Sequence, residues 1–177
     1  MKIHEDIKYI GVDDLDLDLF ESQYIIPNGI SYNSYLILDE KVAVMDTVDS
    51  RKFRTWRSNL HSELEGRTPD YLIVHHMEPD HVGDIVALMD DYPEMMIVAS
   101  ARAVQMMPQF FEGVDFTPRT IAVKEGDTLS LGAHTLHFMM APMVHWPEVM
   151  VSYDELSKVV FSADAFGKFG ALSHDEE

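Results

Sequence analysis

The feature that most constrains this chain is the run His76-Met77-Glu78-Pro79-Asp80-His81, in which four side chains, His76, Glu78, Asp80 and His81, can bind a metal. The segment before it, Tyr71-Leu72-Ile73-Val74, is short and continuously apolar, as expected of a strand buried on both faces. Behind it Val82, Ile85, Val86 and Met89 recur at helical spacing, which predicts a helix that buries one side. The metal-binding types therefore occupy a strand-to-helix turn, where open α/β sheets build their sites. Each residue also has an ordinary explanation. Asp80 suits the N-cap of a helix starting at His81, Glu78 suits a solvated loop, and a single His at a strand end suits a hydrogen-bonded core position. Four such coincidences in one turn favour the metal reading. His75 adjoins His76 in a strand and is expected to face the other way.

Two imidazoles and two carboxylates form a mixed donor set. Hard oxygen donors move such a set toward iron or manganese without excluding zinc. The 177 residues include no cysteine, so any metal must be held by nitrogen and oxygen. Charge narrows the partners: 13 basic against 31 acidic residues give a net −18, which repels both a nucleic-acid backbone and an anionic membrane. No apolar run approaches the roughly 18 residues of a membrane span, and the opening segment lacks a signal-peptide core. A cytoplasmic protein is the expectation. The length fits one domain, and 46% hydrophobic residues exclude wholesale disorder.

The alternation of acid and leucine from Asp14 to Leu19 predicts a strand with one wet face, and it lacks the glycine and terminal glutamate of a calcium loop. Residues 30–38 and 42–45 read as a hairpin turning at Asp39-Glu40-Lys41. Ser50 is the expected N-cap of a helix carrying Phe53, Trp56, Leu60 and Leu64 and closed by Gly66. Residues 95–99 predict a buried strand and Ser100 a cap, followed by a short helix over 101–107 that Pro108 interrupts or ends. Met95, Met96, Met106 and Met107 are expected to fill core gaps. Ile121 and Val123, then Leu129 and Leu131, predict a hairpin across Glu125-Gly126-Asp127. Leu136, Phe138 and Met140 alternate in the next strand, and 149–153 pairs with 159–163 in a last hairpin. His145 and Asp164 each follow the carboxyl end of a strand, as His76 does. Three remote strand ends thus carry ligand types to one topological position.

A strand-end H-x-E-x-D-H followed by a distant His and a strand-end Asp resembles the metallo-β-lactamase superfamily. Glu78, at the second motif position, resembles the flavodiiron proteins within it, as do the strings 31–35, 141–147 and 161–167. The resemblance covers nearly the whole chain. It implies an α/β fold, the αββα metallo-β-lactamase-like sandwich, of which residues 1–177 are the amino-terminal half. It also implies two iron ions: His76, Glu78 and His145 on one, Asp80 and His81 on the other, Asp164 bridging, and Asp46 bracing the metal loop from behind. The implied reaction reduces dioxygen to water or nitric oxide to nitrous oxide, with electrons from FMN. Family members carry a further His ligand well beyond the bridging Asp and then a flavodoxin-like domain. His174 is the last histidine here and a poor substitute, so the flavodoxin-like domain and the remaining half-sandwich are expected on another segment or chain. A head-to-tail homodimer and a rubredoxin-like donor are further implications. The alternatives are a zinc-dependent hydrolase of the same superfamily, a non-catalytic di-iron dioxygen sensor and an inert fragment with a partly assembled site.

Overall fold

The computed structural model describes residues 4–174. In chain order its strands and helices are β1 (Ile7–Tyr9), β2 (Val12–Asp14), β3 (Leu19–Phe20), β4 (Tyr24–Ile25), β5 (Ile30–Tyr32), β6 (Tyr35–Leu38), β7 (Val42–Met45), α1 (Phe53–Glu63) and β8 (Tyr71–Val74). There follow α2 (Pro79–Val82), α3 (Ile85–Asp91), β9 (Met96–Ser100), α4 (Ala101–Phe110), β10 (Thr120–Val123), β11 (Thr128–Ser130), β12 (Thr135–Met140), β13 (Met150–Asp154) and β14 (Val159–Phe161). A six-stranded sheet runs β1-β6-β7-β8-β9-β10, and a four-stranded antiparallel sheet runs β11-β12-β13-β14. From β7 to β10 the strands are parallel, each joined to the next by a helical crossover.

The apolar runs of the parallel strands are divided by period-two alternation between two cores. Leu36, Val42, Val44, Leu72, Val74, Ile97 and Ala99 face the helices, meeting Trp56, Leu60, Ile85, Leu88 and Met107. Ile37, Ala43, Met45, Ile73 and Val98 point the other way, against Leu136, Phe138, Met150 and Phe161 of the second sheet. The result is a helix layer, a sheet and a second sheet. Both faces of the central sheet are covered, which is why its strands are continuously apolar.

Several local expectations are met. Asp39-Glu40-Lys41 turns the β6–β7 hairpin, the β13–β14 hairpin forms, and the Ser100 hydroxyl accepts the Ala103 N–H at 3.1 Å as the cap of α4. Met95 and Met107 are fully buried, with Met106 packed at the edge of the core. Others are corrected. The acid-leucine stretch is no single strand: β2 ends at Asp14, and Lys52 draws both Asp14 and Asp16 into ion pairs at 3.0 Å, breaking the alternation. Asp49, not Ser50, caps the first helical segment, accepting the Arg51 N–H at 2.9 Å. Asp80 caps nothing, because it lies inside α2, whose N-cap residue is Glu78. The predicted single helix through Val82 and Met89 is broken at Gly83-Asp84, where a Cβ on residue 83 would stand 2.6 Å from Ser50 N and 2.7 Å from Val48 O. Pro108 is carried inside α4, which runs on to Phe110.

The largest correction concerns Glu125-Gly126-Asp127. β10 pairs with β9 in the first sheet and β11 with β12 in the second, so this turn moves the chain between layers and makes no hairpin. It docks on β12 through Gly126 N–H to Phe138 O at 3.0 Å and Phe138 N–H to Asp127 O at 2.9 Å. Among the described residues no helix is long and apolar enough to cross a membrane.

Candidate metal centre

The carboxyl ends of β7, β8, β12 and β14 come together at one end of the sandwich. β8 delivers His76 and Glu78, the segment after β12 delivers His145, and the segment after β14 delivers Asp164. One donor atom from each of these four lies within 4.8 Å of every other. Glu78 Oε2 is 3.0 Å from both His76 Nε2 and His145 Nε2, which are themselves 3.2 Å apart. Asp164 Oδ2 stands 3.3 Å from His145 Nε2 and 3.5 Å from His76 Nε2. Its other oxygen, Oδ1, is 2.9 Å from His81 Nε2. Asp164 therefore faces two neighbourhoods at once. Asp80 lines the same cavity and has a buried Oδ1 with no hydrogen-bond partner in the protein.

The imidazoles are aimed from behind. Glu148 Oε1 accepts hydrogen bonds from His76 Nδ1–H at 2.7 Å and from the Met77 N–H at 2.9 Å, which leaves the Nε2 of His76 directed at the cluster. Asp46 Oδ1 accepts the His75 N–H at 2.7 Å, while its Oδ2 lies 3.1 Å from His75 Nδ1 and 3.4 Å from His81 Nδ1. His75 turns away from His76, as expected, and reaches Ser152 Oγ at 2.8 Å. Asp46 itself has φ +54°, and Ala163, just before Asp164, has φ +48°. Non-glycine residues in this region are strained by roughly 1–2 kcal/mol, and such strain collects where function over-determines the backbone.

Electrostatics follows from the burial of opposite charges. Desolvation alone would lower His76, but hydrogen bonds to Glu148 and Glu78 outweigh it and push its pKa up to about 9. His81 is raised well above the ordinary value, desolvation being overcome by the hydrogen bonds to Asp164 and Asp46. Desolvation would raise Glu78 and Asp164, yet the histidines hold both below the ordinary carboxylate value. Asp80 has no comparable partner, and burial pushes it up to about 6.

Glu148 belongs to no ligand motif of the sequence. Its signal is an acid wedged between Trp146-Pro147 and the apolar Val149-Met150-Val151, where only burial explains the neighbours. Ser100 has a second role of the same kind: its hydroxyl donates to Glu148 O at 2.7 Å, tying the end of β9 to the end of the His145 loop. Above the centre lies a cavity of about 630 Å³ walled by Phe20, Tyr24, Tyr35, Phe161, Phe166 and Phe169.

Comparison with known proteins identifies the fold's relatives. The family described as ODP family beta lactamase matches residues 30–177. The anaerobic nitric oxide reductase flavorubredoxin of Salmonella typhi is 36% identical over 174 residues, 97% of this chain and 36% of that protein. Diflavin flavoprotein A 1 of Synechocystis is 37% identical over 87% of this chain and 26% of its own length. Among solved structures, the rubredoxin oxygen:oxidoreductase of Desulfovibrio gigas superposes with a TM-score of 0.91 at 34% identity, over 98% of this chain and 43% of that one. The flavodiiron protein of Giardia intestinalis gives 0.88 at 27% identity, over 97% and 42%. The chain thus spans between about a quarter and less than half the length of these relatives. With its fold, its strand-end ligand types and its match over residues 30–177, this chain belongs to the ODP family of beta-lactamase-fold proteins and corresponds to the amino-terminal part of the metallo-β-lactamase-like domain of flavodiiron proteins.

Proposed function

We propose that this chain supplies most of the ligands of a di-iron centre that reduces dioxygen to water, nitric oxide to nitrous oxide, or both. The observation that carries the reading is the convergence of His76, Glu78, His145 and Asp164, donor atom facing donor atom, with Glu148 fixing the ring of His76. Metal–ligand bonds of about 2.1 Å place neighbouring donors about 3.0 Å apart in an octahedral site and about 3.4 Å apart in a tetrahedral one. The observed separations run from 3.0 to 3.5 Å, within about 0.1 Å of that range. On this reading His76, Glu78 and His145 would hold one iron, and Asp164, which faces both neighbourhoods, would be shared with the second. Asp80 and His81 serve the second, which would give the unpartnered Asp80 oxygen its partner. When bound, the pair supplies electrons to a diatomic from two adjacent ferrous ions.

The chain's own residues do the rest. Glu148 and Asp46 hold His76 and His81 in place, so the site needs little rearrangement to take its metals. Phe20, Tyr24, Tyr35, Phe161, Phe166 and Phe169 give the cavity an apolar portion beside the ligand cluster, which suits a small neutral gas. FMN on a flavodoxin-like module would recharge the centre. That module and the rest of the metal domain, on a further segment or partner chain, would complete a head-to-tail homodimer, a rubredoxin-like carrier would donate electrons, and the assembly would be cytoplasmic. The acidic surface supports the expectation of neither nucleic-acid nor membrane partners.

Anaerobic reconstitution with Fe²⁺, with and without the flavin-bearing segment, tests the reading. The expected result is two irons per assembled site and their oxidation on adding dioxygen or nitric oxide, with multiple turnovers only when flavin is present. Preferential retention of zinc with no redox-linked absorbance change would favour the hydrolase. Oxidation without turnover in the complete assembly would favour a sensor.

A further inference from the structure

The opposite end of the sandwich carries a second convergence of ligand types that the centre above does not use. His4 and Asp6 lie on the lead into β1, and His134 lies in the turn between β11 and β12. One donor atom from each sits within 4.8 Å of the others. Asp6 Oδ2 is 3.4 Å from His134 Nε2 and 3.6 Å from His4 Nδ1. The main-chain groups nearby are already engaged: Asp6 O accepts Leu38 N–H at 2.9 Å, and the His134 N–H goes to Asp39 Oδ2 at 2.7 Å.

Protons decide what these atoms are. His134 Nδ1 is 2.8 Å from Asp154 Oδ2, and Asp154 is fully buried, so Nδ1 carries the donated proton. In the neutral ring that leaves Nε2 as a lone pair, aimed at a carboxylate oxygen. His4 Nδ1 stands 3.6 Å from Asp6 Oδ2, and its one lone pair meets the Asp6 N–H only at a long 3.4 Å, a weak contact that a cation bound there would displace. Acceptors that face one another repel unless a proton or a cation sits between them. A tetrahedron with ligand bonds of about 2.05 Å has edges of about 3.3 Å, close to the 3.4 and 3.6 Å that separate Asp6 Oδ2 from the two imidazole nitrogens. Asp154 behind His134 completes the carboxylate–histidine–metal arrangement that fixes the ring and strengthens the ligand.

We propose that His4, Asp6 and His134 form a second cation site, distinct from the His76 centre, that takes one transition-metal ion of the Zn²⁺ type with water as its fourth ligand. Two imidazoles and one carboxylate, with no sulfur, suit Zn²⁺, Co²⁺ or Ni²⁺ over Ca²⁺ or Mg²⁺. His4 and Asp6 are partly exposed, which gives the ion an entry path, while His134 is buried. The site joins the two layers, because β1 belongs to the six-stranded sheet and the β11–β12 turn to the four-stranded one. An ion here acts as a clasp between sheets.

The test uses Zn²⁺ and Co²⁺ on the full chain and on two surface variants, His4→Ala and Asp6→Asn, which spare the buried His134. The expected result is one equivalent whose affinity falls at least about 10–100-fold in each variant, the loss seen even when only a supporting partner is removed. The equivalents held at the His76 centre should be unchanged. Crystals soaked in Zn²⁺ should show an anomalous peak within bonding distance of His4 Nδ1, Asp6 Oδ2 and His134 Nε2. Equal stoichiometry and affinity in wild type and both variants would overturn the proposal. So would nitrogen NMR showing His134 protonated on both ring nitrogens and unmoved by Zn²⁺, which would mean that a proton alone bridges the two aspartates.

Discussion

At the scale of single residues, the positioning of His76 depends on Glu148, which no metal need touch. Glu148→Ala removes the acceptor for both His76 Nδ1 and Met77 N–H and should weaken metal binding at the His76 centre about 10–100-fold with the circular dichroism unchanged. Glu148→Gln keeps an acceptor oxygen and should lose less; chelator competition reads both. If the Ala variant binds as tightly as wild type, the ring is oriented by something else. Asp84 makes a different prediction. Its side chain is buried with Oδ2 unpartnered, and desolvation pushes its pKa from 3.8 up to about 7. The folded state therefore binds a proton that the unfolded state releases, so Asp84 costs nothing below about pH 4 and becomes a growing penalty as pH rises to 7. Asp84→Asn should match wild type in urea unfolding at pH 4 and exceed it at pH 8, by up to about 4 kcal/mol at 1.36 kcal/mol per unit. A gain of the same size at both pH values would refute the assignment to charge burial.

At the scale of elements, the break between α2 and α3 is set by close packing. Gly83 passes within van der Waals contact of the main chain at Val48 and Ser50, the segment that follows β7. Thr47 holds the same contact from the other side, its hydroxyl donating to His81 O at 2.9 Å. The end of β7 and the metal loop after β8 are thus locked together. Gly83→Ala must separate backbone atoms that cannot rotate away, and should cost about 1–3 kcal/mol in denaturant unfolding while also loosening metal binding. A neutral Ala variant would show that this junction yields easily. Helix periodicity could not reveal the break, because Val82, Ile85 and Met89 are all buried on either side of it. Only a backbone from another part of the chain made residue 83 unable to carry a side chain.

At the scale of the whole molecule, the outer face of the four-stranded sheet carries an apolar strip beside the polar Thr128, Thr135 and His137. Met139 and Val160 are 37% and 49% exposed, and their cross-strand neighbours Val151 and Tyr153 lie on the same face. Patches of this kind on an otherwise acidic surface mark contact areas. Met139→Lys with Val160→Lys should therefore reduce concentration-dependent self-association in sedimentation velocity, and an unchanged profile would place the contact elsewhere. Much of this architecture was legible beforehand. The continuous apolar runs of β8 and β9 announced buried strands, and ligand types directly after strands announced a site at their carboxyl ends. These are local properties: periodicity and strand ends depend on neighbours a few residues away. What the sequence could not decide was which strands shared a sheet. Ile121-to-Val123 and Leu129-to-Leu131 alternate equally well as partners or as members of different layers, and pairing is a choice among distant hydrogen-bonding edges. For the same reason Glu148, Asp154 and His134 looked like ordinary polar residues of strand ends and turns. A buried carboxylate acquires its meaning from the imidazole that folding brings to it, and in this chain those imidazoles lie 72 and 20 residues away.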